Sequence, residues 1–192
     1  MKIGFIGLGK LGLPCAMAME SRGNTVMGFD HDPKIKTYLE LRKVPYKEND
    51  IQDYLDKTDI KLVDPYNMVG NCDIIFVAVQ TPHGPEYEGI TRLPSTREDF
   101  DYSFLKEAVK SLAEIATKKG VSQIVAIIST VLPGTIDKHI KPIIAKEGHR
   151  LQLVYNPFFI AMGTTIEDVL KPEFVLLGVD DPEASKVVEN FY

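Results

Sequence analysis

Three glycines near the amino end, Gly7, Gly9 and Gly12 in the stretch GLGKLG, stand at G-x-G-x-x-G spacing. A tight turn alone would explain them, since glycine is common. The context narrows the choice. KIGFIG before the loop has the apolar makeup of a strand, and a helical pattern follows from Leu11. A second strand, TVMGFD, ends in Asp30 at about the 20-residue distance that a dinucleotide fingerprint requires. Each residue type meets a physical demand: Gly7 permits the turn, Gly9 lets backbone approach a pyrophosphate, and Gly12 lets the helix pack closely on the strand. The helix start at Lys10 and Leu11 offers N–H groups and a positive dipole end to phosphate. Asp30 would accept hydrogen bonds from the adenosine ribose hydroxyls and repel a 2′-phosphate, so NAD is expected over NADP, with Lys34 and Lys36 pulling the other way.

Three later strands end in polar punctuation: Val79-Gln80-Thr81-Pro82, Ser129-Thr130 and Asn156-Pro157. Each alone is an ordinary loop opener. Together they fall at the same end as GLGKLG, and open α/β sheets bind ligands beyond the carboxyl ends of their strands. The stretch VYNPFFIAMG therefore reads as the lip of a ligand site, with Phe158, Phe159 and Ile160 on it. Two cysteines make no disulfide framework and have no metal-ligand spacing, and the four histidines are scattered, so no metal is implied. Cys15 lies among Ala16, Met17 and Ala18, where a small apolar core role is expected. Cys72 precedes its strand and should face away from the ligand edge.

The elements that must position these residues alternate in type. Lys2 to Gly7, Thr25 to Asp30, Asp73 to Val79, Gln123 to Ser129, Leu151 to Tyr155 and Phe174 to Gly178 are short and apolar, as buried parallel strands are, with Ile60 to Val63 a weaker candidate. Helical patterns run from Leu11 to Arg22, Pro33 to Arg42, Tyr102 to Lys119 and Ile136 to Glu147, with Gly23, Gly120 and Gly148 as stops. Asp-Pro-Glu opens a further helix over Asp181 to Tyr192. Strand then helix, repeated, specifies an α/β fold: a doubly wound, mostly parallel Rossmann-type sheet with helices on both faces. The long irregular stretch from Thr81 to Phe100 is expected to be functional, as a lid or binding loop, or else disordered.

Composition fits one globular domain: 192 residues, 44% hydrophobic and 26% charged. Net charge is −5 with no dense basic cluster, which argues against nucleic acid and anionic membrane as partners. The apolar run from Ile3 to Leu13 is broken by glycines and falls short of the roughly 20 residues of a membrane span. It also lacks a signal-peptide cleavage pattern, so a cytoplasmic protein is expected.

The order GLGKLGLP, FDHDP, VAVQTP, STVLPGT, YNPFF with Gly163, and Pro172-Glu173-Phe174-Val175 resembles the NAD-binding domain of the UDP-glucose/GDP-mannose dehydrogenase family over essentially the whole chain. PYKENDIQDYL, from Pro45 to Leu55, resembles the family's element before the third strand, with lysine where the family has an acid after the tyrosine. The resemblance implies oxidation of a nucleotide-sugar alcohol to a uronic acid with two NAD, through an aldehyde held on a cysteine, in polysaccharide biosynthesis and by a homo-oligomer. It places Leu11 over the pyrophosphate and Val79, Thr81, Ser129 and Thr130 along the nicotinamide side. Thr130 is then a supporting catalytic residue, and Phe158, Phe159 and Ile160 contact the sugar nucleotide. Two departures stand out. The family's glutamate after Asn-Pro is Phe158, and its second acid is Met162. Phenylalanine has no titratable proton, so either another group replaces it, such as Glu86, Glu88 or Asp99 of the long loop, or the substrate differs. The family's nucleophilic cysteine and helical lysine match no position of this sequence, which reads as the cofactor part of a longer enzyme. Two alternatives stay open: the cofactor domain of a β-hydroxyacid dehydrogenase related to 6-phosphogluconate dehydrogenase, and an NAD-binding module without catalysis.

Overall fold

The structure is a computed structural model that describes residues 1–90 and 92–192. Thr91, within the expected functional loop, lies outside the described residues. Seven strands form one sheet: β1 (Lys2–Ile6), β2 (Thr25–Phe29), β3 (Lys61–Leu62), β4 (Ile74–Val77), β5 (Gln123–Ile127), β6 (Leu151–Tyr155) and β7 (Gly178–Val179), in the order β3-β2-β1-β4-β5-β6-β7. The first six run parallel and β7 antiparallel. The helices are α1 (Gly12–Ser21), α2 (Lys34–Leu41), α3 (Ile51–Leu55), α4 (Pro65–Met68), α5 (Ser103–Lys119), α6 (Lys141–Lys146), α7 (Thr165–Leu170) and α8 (Pro182–Phe191).

Side chains alternate across the sheet because a strand has a period of two. Ile3 and Phe5 of β1, with Ile74 and Phe76 of β4, pack against α1 and α8, and the Phe5 and Phe76 rings stack at 5.2 Å. Ile6, Ile75, Val77, Val125 and Ile127 face the other way, onto Leu105, Val109 and Leu112 of α5. Both faces of the central strands are therefore covered, which is why those strands read as continuous apolar runs. The expected doubly wound α/β fold is what the chain adopts.

Three segments depart from the sequence expectation. The pattern over Ile136 to Glu147 is a π-helical turn, Ile136–Ile140, running into α6. Pro142 lacks the N–H that would bond to Lys138, and such wide turns absorb the mismatch. Among its described residues the long loop contains one 3-10 turn, Pro85–Tyr87, and it closes back through the Asp101 N–H, which donates to the Pro82 carbonyl at 2.7 Å. Phe174 to Gly178 is not a buried parallel strand. Phe174, Val175 and Leu176 are 55%, 37% and 49% exposed, and pairing begins only at Gly178. The connection from β6 turns through the lip and α7 and re-enters from the carboxyl edge, so β7 pairs antiparallel to β6.

Candidate functional site

The glycine loop crosses from β1 to α1 where the strand order reverses between β1 and β4, the usual ligand crevice of such sheets. Gly7 has φ +94°, and a Cβ on it would meet the Ala78 carbonyl oxygen at 2.6 Å. On Gly12 a Cβ would lie 2.0 Å from the Gly7 oxygen, so α1 can pack this close to β1 only with glycine. Gly9 differs: nothing lies within 4 Å of its Cβ position. Space for a phosphate is thus left where the sequence reading requires it. Lys10 is exposed, Leu11 half-buried, and no side chain caps the start of α1. Asp30 already has partners within the chain. Its two carboxylate oxygens accept the Leu8 N–H at 2.6 Å and the Asp32 N–H at 2.8 Å, tying the glycine loop to the exit of β2. Beyond it a cleft of about 300 Å³ is walled by Phe29, Asp30, Asp32, Ile35, Leu62 and Asp64. These residues fit one half of a dinucleotide: an open glycine for the phosphates, a carboxylate at the second strand, and a cleft for a base.

The exits of β4 and β5 are tied together. Thr81 Oγ1 donates to the Thr130 carbonyl at 2.7 Å, and Ser129 Oγ to the Val79 carbonyl at 2.7 Å. Ser129 is buried, whereas Thr130 is exposed at the edge. The long loop is anchored beside them. Tyr102 donates its hydroxyl to Asp99 at 2.6 Å and accepts from Thr135 Oγ1 and the Leu132 N–H.

At the exit of β6, Asn156 is 1% exposed and makes three bonds. Its N–H donates to Ile127, its Nδ2 donates to the Leu176 carbonyl at 3.1 Å, and its Oδ1 accepts the Tyr192 hydroxyl at 2.6 Å. Phe158 is half-buried, packed on the core and facing a cavity of about 190 Å³ between the lip and the segment Lys171 to Val175. Phe159 is 59% exposed, its ring 4.5 Å from that of Phe174. The acids beside this cavity are Asp168 and Glu173; Glu86, Glu88 and Asp99 do not line it. Asp168 is engaged, its Oδ2 accepting the Ala161 N–H and the Thr164 hydroxyl.

Both thiols are held protonated. Burial, then the nearby Glu48 carboxylate, pushes Cys15 far above the ordinary thiol range, and burial with Asp73 pushes Cys72 up to about 11. The thiolate is the reactive form, so neither is a nucleophile here. Sequence reasoning passed over Glu48, which is buried and bonds the Gly163 N–H at 3.0 Å and the Ile166 N–H at 3.1 Å. Its polar neighbours Lys47, Asn49 and Asp50 gave it the look of a solvated turn.

The model of the UDP-glucose/GDP-mannose dehydrogenase family, NAD binding domain, matches residues 1–192. The chain belongs to this family. Among curated relatives, the UDP-glucose 6-dehydrogenase of Rickettsia typhi is 28% identical over 197 aligned residues, covering 100% of this chain and 42% of the relative. The chain thus spans under half the length of that protein. Among solved structures, a GDP-mannose dehydrogenase from Pseudomonas aeruginosa shares the fold with a TM-score of 0.86 at 24% identity, over 100% of this chain and 44% of that one. A UDP-glucose dehydrogenase from Pyrobaculum islandicum gives 0.84 at 24%, over 100% and 43%. As an NAD-binding domain of the UDP-glucose/GDP-mannose dehydrogenase family, the chain takes NAD as its cofactor. The match also favours this family over the β-hydroxyacid alternative. Among the described residues no helix is long and apolar enough to cross a membrane, and no group of three metal-binding side chains forms.

Proposed function

We propose that this chain is the cofactor domain of an enzyme that oxidises a nucleotide-sugar alcohol to the uronic acid with two NAD. One observation carries the reading: the glycine loop, the Thr81–Thr130 tie and the Asn156 lip leave the sheet at one edge, the carboxyl ends of β1, β4, β5 and β6. Bound at that edge, NAD supplies a hydride acceptor. The residues of the chain bind and orient. The start of α1, with Lys10, Leu11 and the open face of Gly9, takes the pyrophosphate, and Asp30 the ribose. Val79, Thr81, Ser129 and Thr130 flank the nicotinamide side, with Thr130 in support of the reacting end. Phe158, Phe159 and Ile160 present the lip to the nucleotide sugar. The lip cavity of about 190 Å³ is smaller than the roughly 300–1,000 Å³ of a complete ligand pocket, so it would hold part of that substrate only. The complete enzyme is a cytoplasmic homo-oligomer on this reading, without nucleic-acid or membrane partners.

The chain alone should bind NAD(H) more tightly than NADP(H) and should not carry UDP-glucose or GDP-mannose through to the uronic acid with its second NADH, because that second oxidation needs the aldehyde held on a thiolate and neither buried cysteine can hold it. Calorimetry with both cofactors and absorbance of NADH with each sugar check this. Tighter NADP(H) binding would remove Asp30 from its role. Sustained turnover that survives Cys15→Ser with Cys72→Ser would overturn the chemistry.

A further inference from the structure

The lip is a loop held at both ends. Asn156 fixes its start, and its end turns at Gly163, where φ is +101°. That turn is gripped from a segment far away in sequence. Glu48 Oε2 accepts the Gly163 N–H, its Oε1 accepts the Ile166 N–H, and the Asn49 N–H donates to the Gly163 carbonyl at 2.9 Å. Both backbone groups of Gly163 are therefore taken by Glu48 and Asn49. Glu48 is 9% exposed and its carboxylate forms no ion pair among the described residues. An uncompensated buried charge is expensive, and what offsets it here is the pair of charge-assisted bonds to the lip. Tyr46, two residues before Glu48, and Thr165, next to Ile166, each carry a buried hydroxyl with no partner. Between the two anchors Phe158 packs on the core and Asp168 accepts the Ala161 N–H, while Phe159 and Met162 are 59% and 70% exposed.

We propose that Glu48 is a positioning residue for substrate: its two-pronged hold on Gly163 and Ile166 keeps the lip in the shape that binds the nucleotide sugar, while the cofactor half of the site does not depend on it. The proposal rests on the function proposed above. Glu48→Gln keeps the shape of the side chain but presents a donor to one of the two amides, and Glu48→Asp is one methylene short of spanning both. In the whole chain, both variants should lose about tenfold in UDP-glucose affinity, the scale of one lost charge-assisted bond. NAD affinity should stay within about twofold, as for a distant, independent site. Hydrogen exchange at the Gly163 and Ile166 amides should quicken by about tenfold in parallel. Loss of NAD and UDP-glucose affinity together would show a general structural role and overturn the proposal. So would full rescue by aspartate, or exchange at Gly163 that stays at the parental rate. If either variant fails to fold, the other carries the test. If both fail to fold, Glu48 serves the fold as a whole and the proposal is overturned. A parental chain that binds neither UDP-glucose nor GDP-mannose would take the lip out of substrate binding and overturn the proposal, while NAD affinity judges the cofactor reading separately.

Discussion

Gly9 and Gly12 make opposite uses of the same missing side chain. Gly9 faces open space and Gly12 faces the Gly7 carbonyl, so alanine at each should fail differently. Gly9→Ala should leave the melting temperature unchanged and weaken NAD binding by about tenfold or more, since its methyl enters the phosphate space. Gly12→Ala should destabilise the fold by about 1–3 kcal/mol, the usual scale of overpacking, and lose NAD with it. Thermal melts and calorimetry on the two variants separate these outcomes; equal losses of stability would mean that Gly9 is a packing glycine too. The sequence singles out Asp30 by its place after β2, but its role as acceptor for Leu8 and Asp32 is not legible there, because backbone amides leave no mark in sequence. Its replacement by alanine would therefore disturb the loop as well as the ligand. Glu48 was hidden for a related reason: its partners lie at Gly163 and Ile166, and no local pattern shows a contact over that span.

At the scale of elements, the central strands could be read directly because burial on both faces gives them unbroken apolar runs. The run at Phe174 misled for the opposite reason. It is apolar because it faces Phe159 across the lip cavity, and that composition mimics a strand. The lip itself was placed correctly at the carboxyl end of β6, yet Phe158 proves to be both wall and core: it lines the cavity and packs on the central cluster. Phe158→Leu should thus fold with a loss below about 1.5 kcal/mol, as for a near-volume-conserving apolar exchange. Phe158→Glu should be unstable at neutral pH and recover on acidification. Its folded pKa would be raised by the apolar surroundings, so the penalty is absent below the unfolded value of about 4.3 and grows as pH rises through it. Melts of both variants across pH check this, and a glutamate variant that is no less stable at pH 7 than at pH 4 would place Phe158 in open solvent.

At the scale of the whole molecule, acid sensitivity is expected from carboxylates in two regions, the start of α8 and the entry to α5. The Gln152 amide, then the Ala184 and Glu183 N–H groups at the start of α8, hold Asp181 below its ordinary range. The Tyr102 hydroxyl does the same for Asp99, and the Ser103 N–H for Asp101. Folded values below unfolded ones mean that this stability is present above about pH 4 and is lost as pH falls through the folded values. The melting temperature should hold between about pH 5 and 7 with respect to these groups and fall below about pH 4. Asp181→Asn should blunt that fall, and a variant whose acid profile matches the parent would remove α8 from the account. Glu48 and Gly163 are 115 residues apart. Closing so long a loop is entropically slow, and it gains nothing until the strands in between have assembled. The glycine loop and the β1–β2 pair need no such closure, so they take shape before the Glu48 clamp fixes the lip.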